Sequence, residues 1–373
     1  MLSYKTAGES HGRSLLGILD GMPSGCEIDF SEIREALKRR KTGAGRSERA
    51  GLEKDIFTIL SGIEGNITTG NPIAVELEKI KRDTAKEKPT VVRPGHADLI
   101  GSLKYSKNST RDAIERASAR ETAMRVLLSQ IAISLLKPFN IHAESFVKRL
   151  GSVSSPIDYY SGISDANFNF SRSSILGAVD KNTERLFSAE IDNTVKNKNS
   201  VGGIVQIVAK NIPKGLGSFV SYEKKLDARI AYSLMSVQSV KGVSFGWNLF
   251  CDNLGGFEYQ DSPYYDEGKL KHRSNFQGGF EAGMTNGEDI VIDISLKPVP
   301  TLLRPKPSLD ILTHKEAVSY YERSDITQVP SALVILESVV LYEIAKVISE
   351  EIGGDTMEEM VFRLKEHNKR FDI

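Results

Sequence analysis

The segment SALVILESVVLYEIAKVISEEIGG (331–354) constrains the fold more than any other stretch of the 373-residue chain. It is apolar on nearly every side of a helical projection, and it follows Pro330 and ends at Gly353 and Gly354, which is typical of an α-helix. A helix without a polar face has to be covered all round. The sequence therefore predicts a buried core helix, part of which could also serve a subunit interface.

Two further helices are indicated by hydrophobic periodicity. Apolar residues recur at spacings of three and four from Ala119 to Leu136, and Pro138 is expected to stop this helix. The shorter amphipathic stretch DFSEIREALKRR is expected to be capped by Asp29 or Ser31.

Strand signals are short and dispersed, at 202–209, 218–222, 242–250 and 289–296. Their alternation and glycine-containing connections favour antiparallel pairing. The polar stretch 190–203 is expected to be an internal loop. Neither a dinucleotide fingerprint nor a P-loop occurs, so the predicted fold class is α+β and not a doubly wound nucleotide-binding fold.

Composition excludes several classes of protein. The 49 basic residues balance 49 acidic ones, so the net charge gives no general attraction to nucleic acid or an anionic membrane. Cys26 and Cys251 form no zinc or disulfide pattern, and neither an export signal nor a run of about 18 apolar residues occurs. We therefore expect a soluble cytoplasmic protein with no metal site, membrane segment or nucleic-acid partner.

One of the six histidines lies in the glycine-flanked stretch GESHGRS. Gly8 and Gly12 permit a tight turn that presents His11 at a loop tip. An imidazole held there could donate a proton to a leaving group near neutral pH. A surface-loop histidine without a role is the alternative.

The stretch RPGHADLIG places a second histidine in a rigid turn. Arg93, His96 and Asp98 lie within six residues, so neighbouring charges could set the protonation of the histidine. A turn with an aspartate cap is the alternative. Metal binding is disfavoured because a third ligand at a suitable spacing is missing.

Two arginine-rich segments could bind a phosphorylated ligand. The segment 38–55 surrounds a Gly43-Ala44-Gly45 loop with basic residues, and 108–125 combines four arginines with Ser118. Arginine forks grip phosphate and carboxylate groups, and a glycine loop can close over a ligand. A solvated charged face is the alternative, and nucleic-acid binding is disfavoured because 38–55 has no aromatic residues.

The C-terminal third offers loop backbone and one more acidic residue. Glycines in 278–290 make a flexible turn, and Pro298 and Pro300 hold an extended backbone that could line a flat ring. Asp325 follows Arg323 just before the buried helix, so it could serve as a base kept ionised by the arginine. A surface ion pair is the alternative.

Taken in order, AGESHG, RPGHAD, RASARETA, GGFEAGMTNG, KPVPT and ERSD resemble the chorismate synthase family across essentially the whole chain. The resemblance implies a β-α-β sandwich of antiparallel sheets around a helical core, one catalytic domain spanning residues 1–373 and a homotetramer. It also implies the conversion of 5-enolpyruvylshikimate 3-phosphate to chorismate and phosphate, the last step of the shikimate pathway. This 1,4-elimination needs reduced FMN, although nothing is oxidised overall.

The resemblance further implies roles for individual residues. His11 would supply a proton to the departing phosphate, His96 would stabilise or protonate the reduced flavin, and Asp325 would act with the flavin to remove the C6 proton. The residues carried over as FMN contacts are Arg116, Ala117, Ser118, Gln238, Ser239, Ala282, Lys297, Pro298, Val299, Pro300, Thr301 and Arg323. The residues carried over as contacts of the substrate or of NADPH are Arg40, Arg46 and Arg49.

Two of these positions depart from the family pattern. Ala117 stands where many members have serine, so a hydroxyl bond is lost, and Ala282 stands where glycine is frequent, so close backbone approach to the flavin is in question. ERSD replaces the commoner RHD spelling but keeps the aspartate.

Two other functions compete with the lyase. An NADPH-dependent flavin reductase, in addition to or instead of the lyase, is one alternative, since some members reduce their own flavin. A non-enzymatic RNA-binding protein that uses the basic run 38–49 is the other.

Overall fold

Helices and strands follow one another along the chain in the computed structural model, which describes residues 1–46, 55–78, 89–247, 253–319 and 325–371. The helices are α1 (Phe30–Lys41), α2 (Asp98–Lys104), α3 (Thr110–Ala117), α4 (Thr122–Ile133), α5 (Asp165–Ser173), α6 (Lys181–Lys196), α7 (Leu226–Met235), α8 (Gly256–Tyr259), α9 (Val329–Glu351) and α10 (Met357–Asn368). The strands are β1 (Ser3–Gly8), β2 (Ser14–Asp20), β3 (Ile56–Ser61), β4 (Ile63–Glu64), β5 (Ile67–Thr68), β6 (Ile73–Glu78), β7 (His142–Leu150), β8 (Val153–Ser154), β9 (Gly203–Lys210), β10 (Val240–Phe245), β11 (Pro263–Asp266), β12 (Lys269–His272), β13 (Phe280–Glu281), β14 (Met284–Thr285), β15 (Ile290–Leu296), β16 (Pro307–Leu309) and β17 (Glu316–Val318).

Two larger sheets form the outer layers, and the strand pairs within both are antiparallel. The first has the order β1-β2-β6-β3, and the second has the order β10-β15-β9-β7-β8. Strand β15 is buried on both faces along most of its length, as its continuous apolar pattern requires. The remaining strands pair in twos.

Helices α4 and α9 fill the space between the two sheets. Helix α4 packs against β1 and β2, while α9 packs against α4, β7 and β9. Helix α9 is buried on all sides through most of its length, as the apolar pattern of 331–354 predicts. The α+β class and the β-α-β sandwich are therefore confirmed. Within the described ranges, no helix combines the length and apolarity needed to cross a membrane.

The helix ends differ from the sequence prediction in three places. Helix α9 starts at Val329, because Pro330 fits in the first turn, where a missing N–H costs nothing. The helix predicted from Ala119 to Leu136 is α-helical only over α4, with 3₁₀ turns before and after it. The α-helix already ends at Ile133, and the second 3₁₀ turn continues through Pro138 to Phe139. The Asp29 cap is confirmed, since its side chain accepts from the Ser31 N–H at 2.8 Å.

Two other predicted elements are wrong. The stretch 218–222 is not a strand, and its apolar side chains Phe219, Val220 and Tyr222 are exposed, so their alternation marks no buried face. The predicted loop 190–203 is helical as far as Lys196. Phe187 and Ile191 bury one side of α6, and this helical spacing outweighs the polar residues around it.

Gly17 on β2 sets how closely α4 approaches the first sheet. A Cβ added at Gly17 would lie 2.5 Å from the Met124 sulfur and 2.7 Å from a methyl carbon of Leu128, both on α4. The missing side chain therefore leaves the space that these two core residues fill.

We expect Gly17→Val to lower the free energy of unfolding by about 1–3 kcal/mol, because Met124 and Leu128 have to move away from the added methyl groups. Urea unfolding followed by circular dichroism measures the change. Ala7→Val is the matched control, since Ala7 lies exposed on the neighbouring strand β1 and should change stability by less than about 0.5 kcal/mol. An equal effect of both changes would refute this account of the packing.

Candidate active site

A cavity of about 330 Å³ lies where several distant segments of the chain meet. These segments are the turn after residue 92, the end of α3, the start of β10, the chain after β15 and the residue before α9. The cavity is lined by Arg93, Gly95, His96, Ala97, Asp98, Ile114, Ala117, Ser118, Ala119, Gln238, Ser239, Lys297, Val299, Pro300 and Gln328. Eight predicted site residues are thus brought together: His96, Ala117, Ser118, Gln238, Ser239, Lys297, Val299 and Pro300.

A buried ion pair braces the turn that carries His96. The Arg93 Nε donates to Asp98 Oδ2 at 2.9 Å, and the Arg93 backbone N–H donates to the same oxygen at 3.0 Å. Both side chains are almost fully buried. The Lys297 ammonium donates to the Gly95 carbonyl at 2.7 Å, and the hydroxyl of Thr301 lies 3.3 Å from His96 Nε2. Arg93 and Asp98 therefore hold the shape of the turn that places His96 in the cavity lining.

The cavity lining also contains a residue with a strained backbone, Ser239, and an acceptor without a partner among the described residues, Gln238. Ser239 has a φ of 74°, which non-glycine residues adopt at a cost, and the Gln328 side-chain amide donates to its hydroxyl. The Gln238 Oε1 is buried and has no hydrogen-bond partner among the described residues. Burial and the charge of Lys241 lower the pKa of Lys297. An orphaned acceptor and a cation facing one cavity fit a ligand that has both N–H donors and a phosphate, as FMN does.

Helix α3 joins this cavity to His11, which does not line it. The His11 ring Nδ1 lies 2.6 Å from Glu115 Oε1, and the His11 backbone N–H donates to Glu115 Oε2 at 2.7 Å. Burial acts to raise the pKa of Glu115, but hydrogen bonds and charge from His11 hold it below its usual value. Glu115 is two residues from Ala117 on the same helix, so the loop of His11 is anchored beside the cavity.

A buried carboxylate, Asp55, organises the predicted phosphate-binding arginines. Its oxygens lie 2.6 Å from Arg120 Nη1, 3.4 Å from Lys41 Nζ and 3.6 Å from Arg40 Nη2. Although burial acts to raise it, the pKa of Asp55 is lowered by the charges of Arg40, Arg120 and Lys41. Arg40 is itself almost fully buried, so it does not belong to an exposed basic surface of the kind that RNA binding requires.

The predicted base is paired with a predicted ligand-binding arginine. Asp325 Oδ2 lies 3.1 Å from Arg46 Nη1, and both side chains are about one-fifth exposed. The Ile326 N–H donates to the Gly45 carbonyl at 2.7 Å, which ties the glycine loop to the start of α9. Arg46 and Asp325 therefore form one unit beside Gln328, which lines the cavity.

The remaining predicted site residues lie elsewhere or outside the described ranges. The Arg116 guanidinium donates to the Thr6 carbonyl at 2.9 Å and to the Thr6 hydroxyl at 2.7 Å, so it holds β1. Ala282 occupies the β13–β14 turn with a φ of 50° and lines a different cavity. Pro298 and Thr301 flank the residues that line the 330 Å³ cavity. Arg49 and Arg323 lie outside the described residues.

Sequence reasoning missed Glu115, Asp55 and Gln328. Glu115 directly precedes the motif RASARETA, but its contact with His11 joins residues that are 104 positions apart in the chain. Asp55 contacts Arg120 across 65 residues. The end of α3 and the 3₁₀ turn after it, residues 115–120, thus touch His11, the cavity and Asp55 in turn, and we call them the 115–120 segment. In the described ranges, no group of three or more His, Cys, Asp or Glu residues is placed to hold a metal ion.

Comparison with known proteins gives one consistent result. The family model described as chorismate synthase matches residues 2–348. The chorismate synthase of Caldicellulosiruptor bescii is 39% identical over 98% of this chain and 98% of its own. That of Caldanaerobacter subterraneus subsp. tengcongensis is 41% identical over 96% of both chains. A solved structure described as a crystal structure of chorismate synthase has a TM-score of 0.82 at 30% identity and covers 100% of this chain and 98% of its own.

We expect Asp55→Asn to lower the free energy of unfolding by about 3 kcal/mol at neutral pH, because three largely buried cations lose a shared anion. The pKa of Asp55 is depressed in the folded state, so its contribution is complete above its usual value of 3.8 and is lost as the pH falls through the folded value. The deficit should therefore shrink below pH 3.8. Urea titrations at several pH values measure it.

Asp192→Asn is the control, since Asp192 is exposed on α6 and the same change there should leave stability nearly unaltered. If the Asp55→Asn deficit stays constant with pH, the ion-pair explanation fails.

Proposed function

The chain belongs to the chorismate synthase family, and we propose that it converts 5-enolpyruvylshikimate 3-phosphate to chorismate and phosphate by a 1,4-elimination that requires reduced FMN. The enzyme is therefore a carbon–oxygen lyase that acts on a small-molecule substrate. A flavin reductase is not favoured, because the relatives are named for the synthase activity.

The observation that carries the proposal is the convergence of eight predicted flavin-site residues on one cavity. They come from four separate stretches of chain, which only the fold brings together. We propose that this cavity holds FMN, with Gln238 accepting from a ring N–H and Lys297 near negative charge on the ligand. Reduced FMN, when bound, supplies electron density to the C–O bond that breaks.

The chain's own residues supply the proton transfers and hold the substrate. The C–O bond breaks with its electron pair on the phosphate oxygen, and His11 donates a proton to that oxygen. Asp325 receives the proton lost from C6, and Arg46 Nη1 lies 3.1 Å from this carboxylate. His96 faces the flavin cavity, where it can hold a proton beside the reduced ring.

We propose that Arg40, Arg46 and Arg49 contact the phosphate and carboxylates of the substrate, or NADPH where that serves as reductant. Asp55 fixes the position of Arg40 and links it to Arg120. The other family contacts, at Arg116, Ala282, Pro298, Thr301 and Arg323, remain part of the proposal.

The proposal also includes one catalytic domain over residues 1–373, a homotetramer and a cytoplasmic location. The outward face of the first sheet carries the exposed side chains of Leu16, Ile18 and Leu60, an apolar surface that a second copy would bury. The buried free thiol of Cys26 fits a reducing compartment.

Anaerobic incubation with 5-enolpyruvylshikimate 3-phosphate and chemically reduced FMN should generate the absorbance of chorismate, and oxidised FMN alone should not. Adding NADPH with oxidised FMN and no second protein tests whether the enzyme reduces its own flavin. If no chorismate forms under the reducing conditions, the assignment as a lyase is wrong.

His11→Ala and Lys297→Met should separate proton delivery from flavin binding. Loss of His11 should lower kcat by roughly 10²- to 10⁴-fold while the Kd for FMN stays within about twofold. Loss of the Lys297 charge should weaken FMN binding by about tenfold. Fluorescence titration with FMN measures Kd for both variants. An equal loss of FMN affinity in the two would contradict the assigned roles.

A further inference from the structure

Glu115 uses both of its carboxylate oxygens to hold the loop that carries His11. Its Oε1 lies 2.6 Å from His11 Nδ1, and its Oε2 accepts the His11 backbone N–H at 2.7 Å and the Ser10 hydroxyl at 3.0 Å. The Glu115 backbone carbonyl also accepts the Ser10 N–H at 3.0 Å. The side chains of His11 and Glu115 are only 22% and 11% exposed, so water competes weakly for these bonds.

This arrangement requires a proton on Nδ1 of the His11 ring. The pKa of Glu115 is lowered, so the group is an ionised acceptor with no proton to give. An oxygen of this kind 2.6 Å from Nδ1 requires a proton on Nδ1, since two lone pairs would otherwise face each other. The Ser10 hydroxyl donates to Oε2, so it presents its lone pairs, not its proton, to Nδ1 at 3.0 Å.

We infer that Glu115 is a positioning residue that keeps Nδ1 of His11 protonated and leaves Nε2 as the ring nitrogen that donates a proton to the substrate. The inference deepens the proposed function and rests on it for its catalytic part. The doubly protonated ring gives its Nε2 proton to the phosphate oxygen as the C–O bond breaks, and the ring is left neutral with its remaining proton on Nδ1. Glu115 accepts from Nδ1 before and after this transfer, so the ring does not have to turn.

The isosteric change Glu115→Gln should reverse the pattern. The backbone N–H of His11 can be satisfied only by the amide oxygen, which therefore takes the place of Oε2. The amide NH₂ then takes the place of Oε1 and faces Nδ1, so Nδ1 has to be unprotonated and the ring proton moves to Nε2. In this variant a doubly protonated ring has lost its carboxylate acceptor and faces the amide NH₂ at Nδ1, so the proton-donating form of the ring is disfavoured.

Solid-state ¹⁵N spectra of histidine-labelled enzyme report which ring nitrogen carries the proton, and a His11→Asn sample identifies the His11 signals. The neutral His11 ring should be protonated on Nδ1 in the native enzyme and on Nε2 in Glu115→Gln. The kcat of Glu115→Gln should fall about tenfold or more, with KM for the substrate and Kd for FMN within about twofold. Asp112→Asn, the same change at an exposed position of α3, should alter none of these values.

Three results would overturn the inference: a native His11 ring protonated on Nε2, an unchanged tautomer in Glu115→Gln, or a kcat of that variant equal to that of the native enzyme. The spectrum of the native enzyme alone shows which ring nitrogen of His11 is protonated. The inference therefore stays testable even if the Glu115→Gln variant fails to fold. If the tautomers behave as expected but the native enzyme makes no chorismate, the proposed function fails and the positioning of His11 stands. If the native ring is protonated on Nε2 and turnover is normal, the positioning of His11 fails and the proposed function stands.

Discussion

The burial of α9 is the constraint on which the other layers depend. A 23-residue helix with apolar side chains in every direction has no polar face that could be exposed to water, so other elements have to pack against it on all sides. Helix α4 covers it on one side and the second sheet covers it on the other. Helix α4 in turn lies against the first sheet, where Gly17 allows close contact. The sandwich covers the apolar surface of both helices and so removes it from water.

The start of α9 also connects the buried core to the candidate active site. Gln328 and Asp325 lie directly before the helix, so the packing of α9 fixes where both are held. On the facing side, the 115–120 segment precedes α4 and is fixed by the packing of that helix. The segments that lead into two buried helices therefore carry groups that we propose contact the ligands, and rigid elements hold such groups better than free loops do.

Local sequence patterns predicted much of the architecture and part of the site. The apolar run 331–354, the Asp29 cap and the strand at 289–296 each satisfied a rule that acts within a few residues, and each was confirmed. The stretch 218–222 has the alternation of a strand but is exposed, and no strand within the described part of the chain pairs with it. Pattern alone does not reveal whether a neighbour exists.

The site shows the same division between local and distant determinants. His96 and Ser118 stand in short motifs whose residue types suggest ligand binding, and both line the cavity. Glu115 contacts His11 and Asp55 contacts Arg120, partners that lie far along the chain. A carboxylate on an arginine-rich helix looks like an ordinary surface acid until its partner is known. Contacts of that kind become visible in three dimensions only.

The long chain separations of these contacts have a consequence for how the enzyme is made. The bonds from Glu115 to His11, from Gln328 to Ser239 and from Arg46 to Ser331 close loops of 104, 89 and 285 residues. Closing such loops costs chain entropy before the contacts compensate for it, so we expect pairings of this range to form late in folding. A ribosome-bound chain that still lacks α9 has neither the Ser331 partner of Arg46 nor the Gln328 wall of the cavity. Catalysis is thus confined to molecules whose folding is complete.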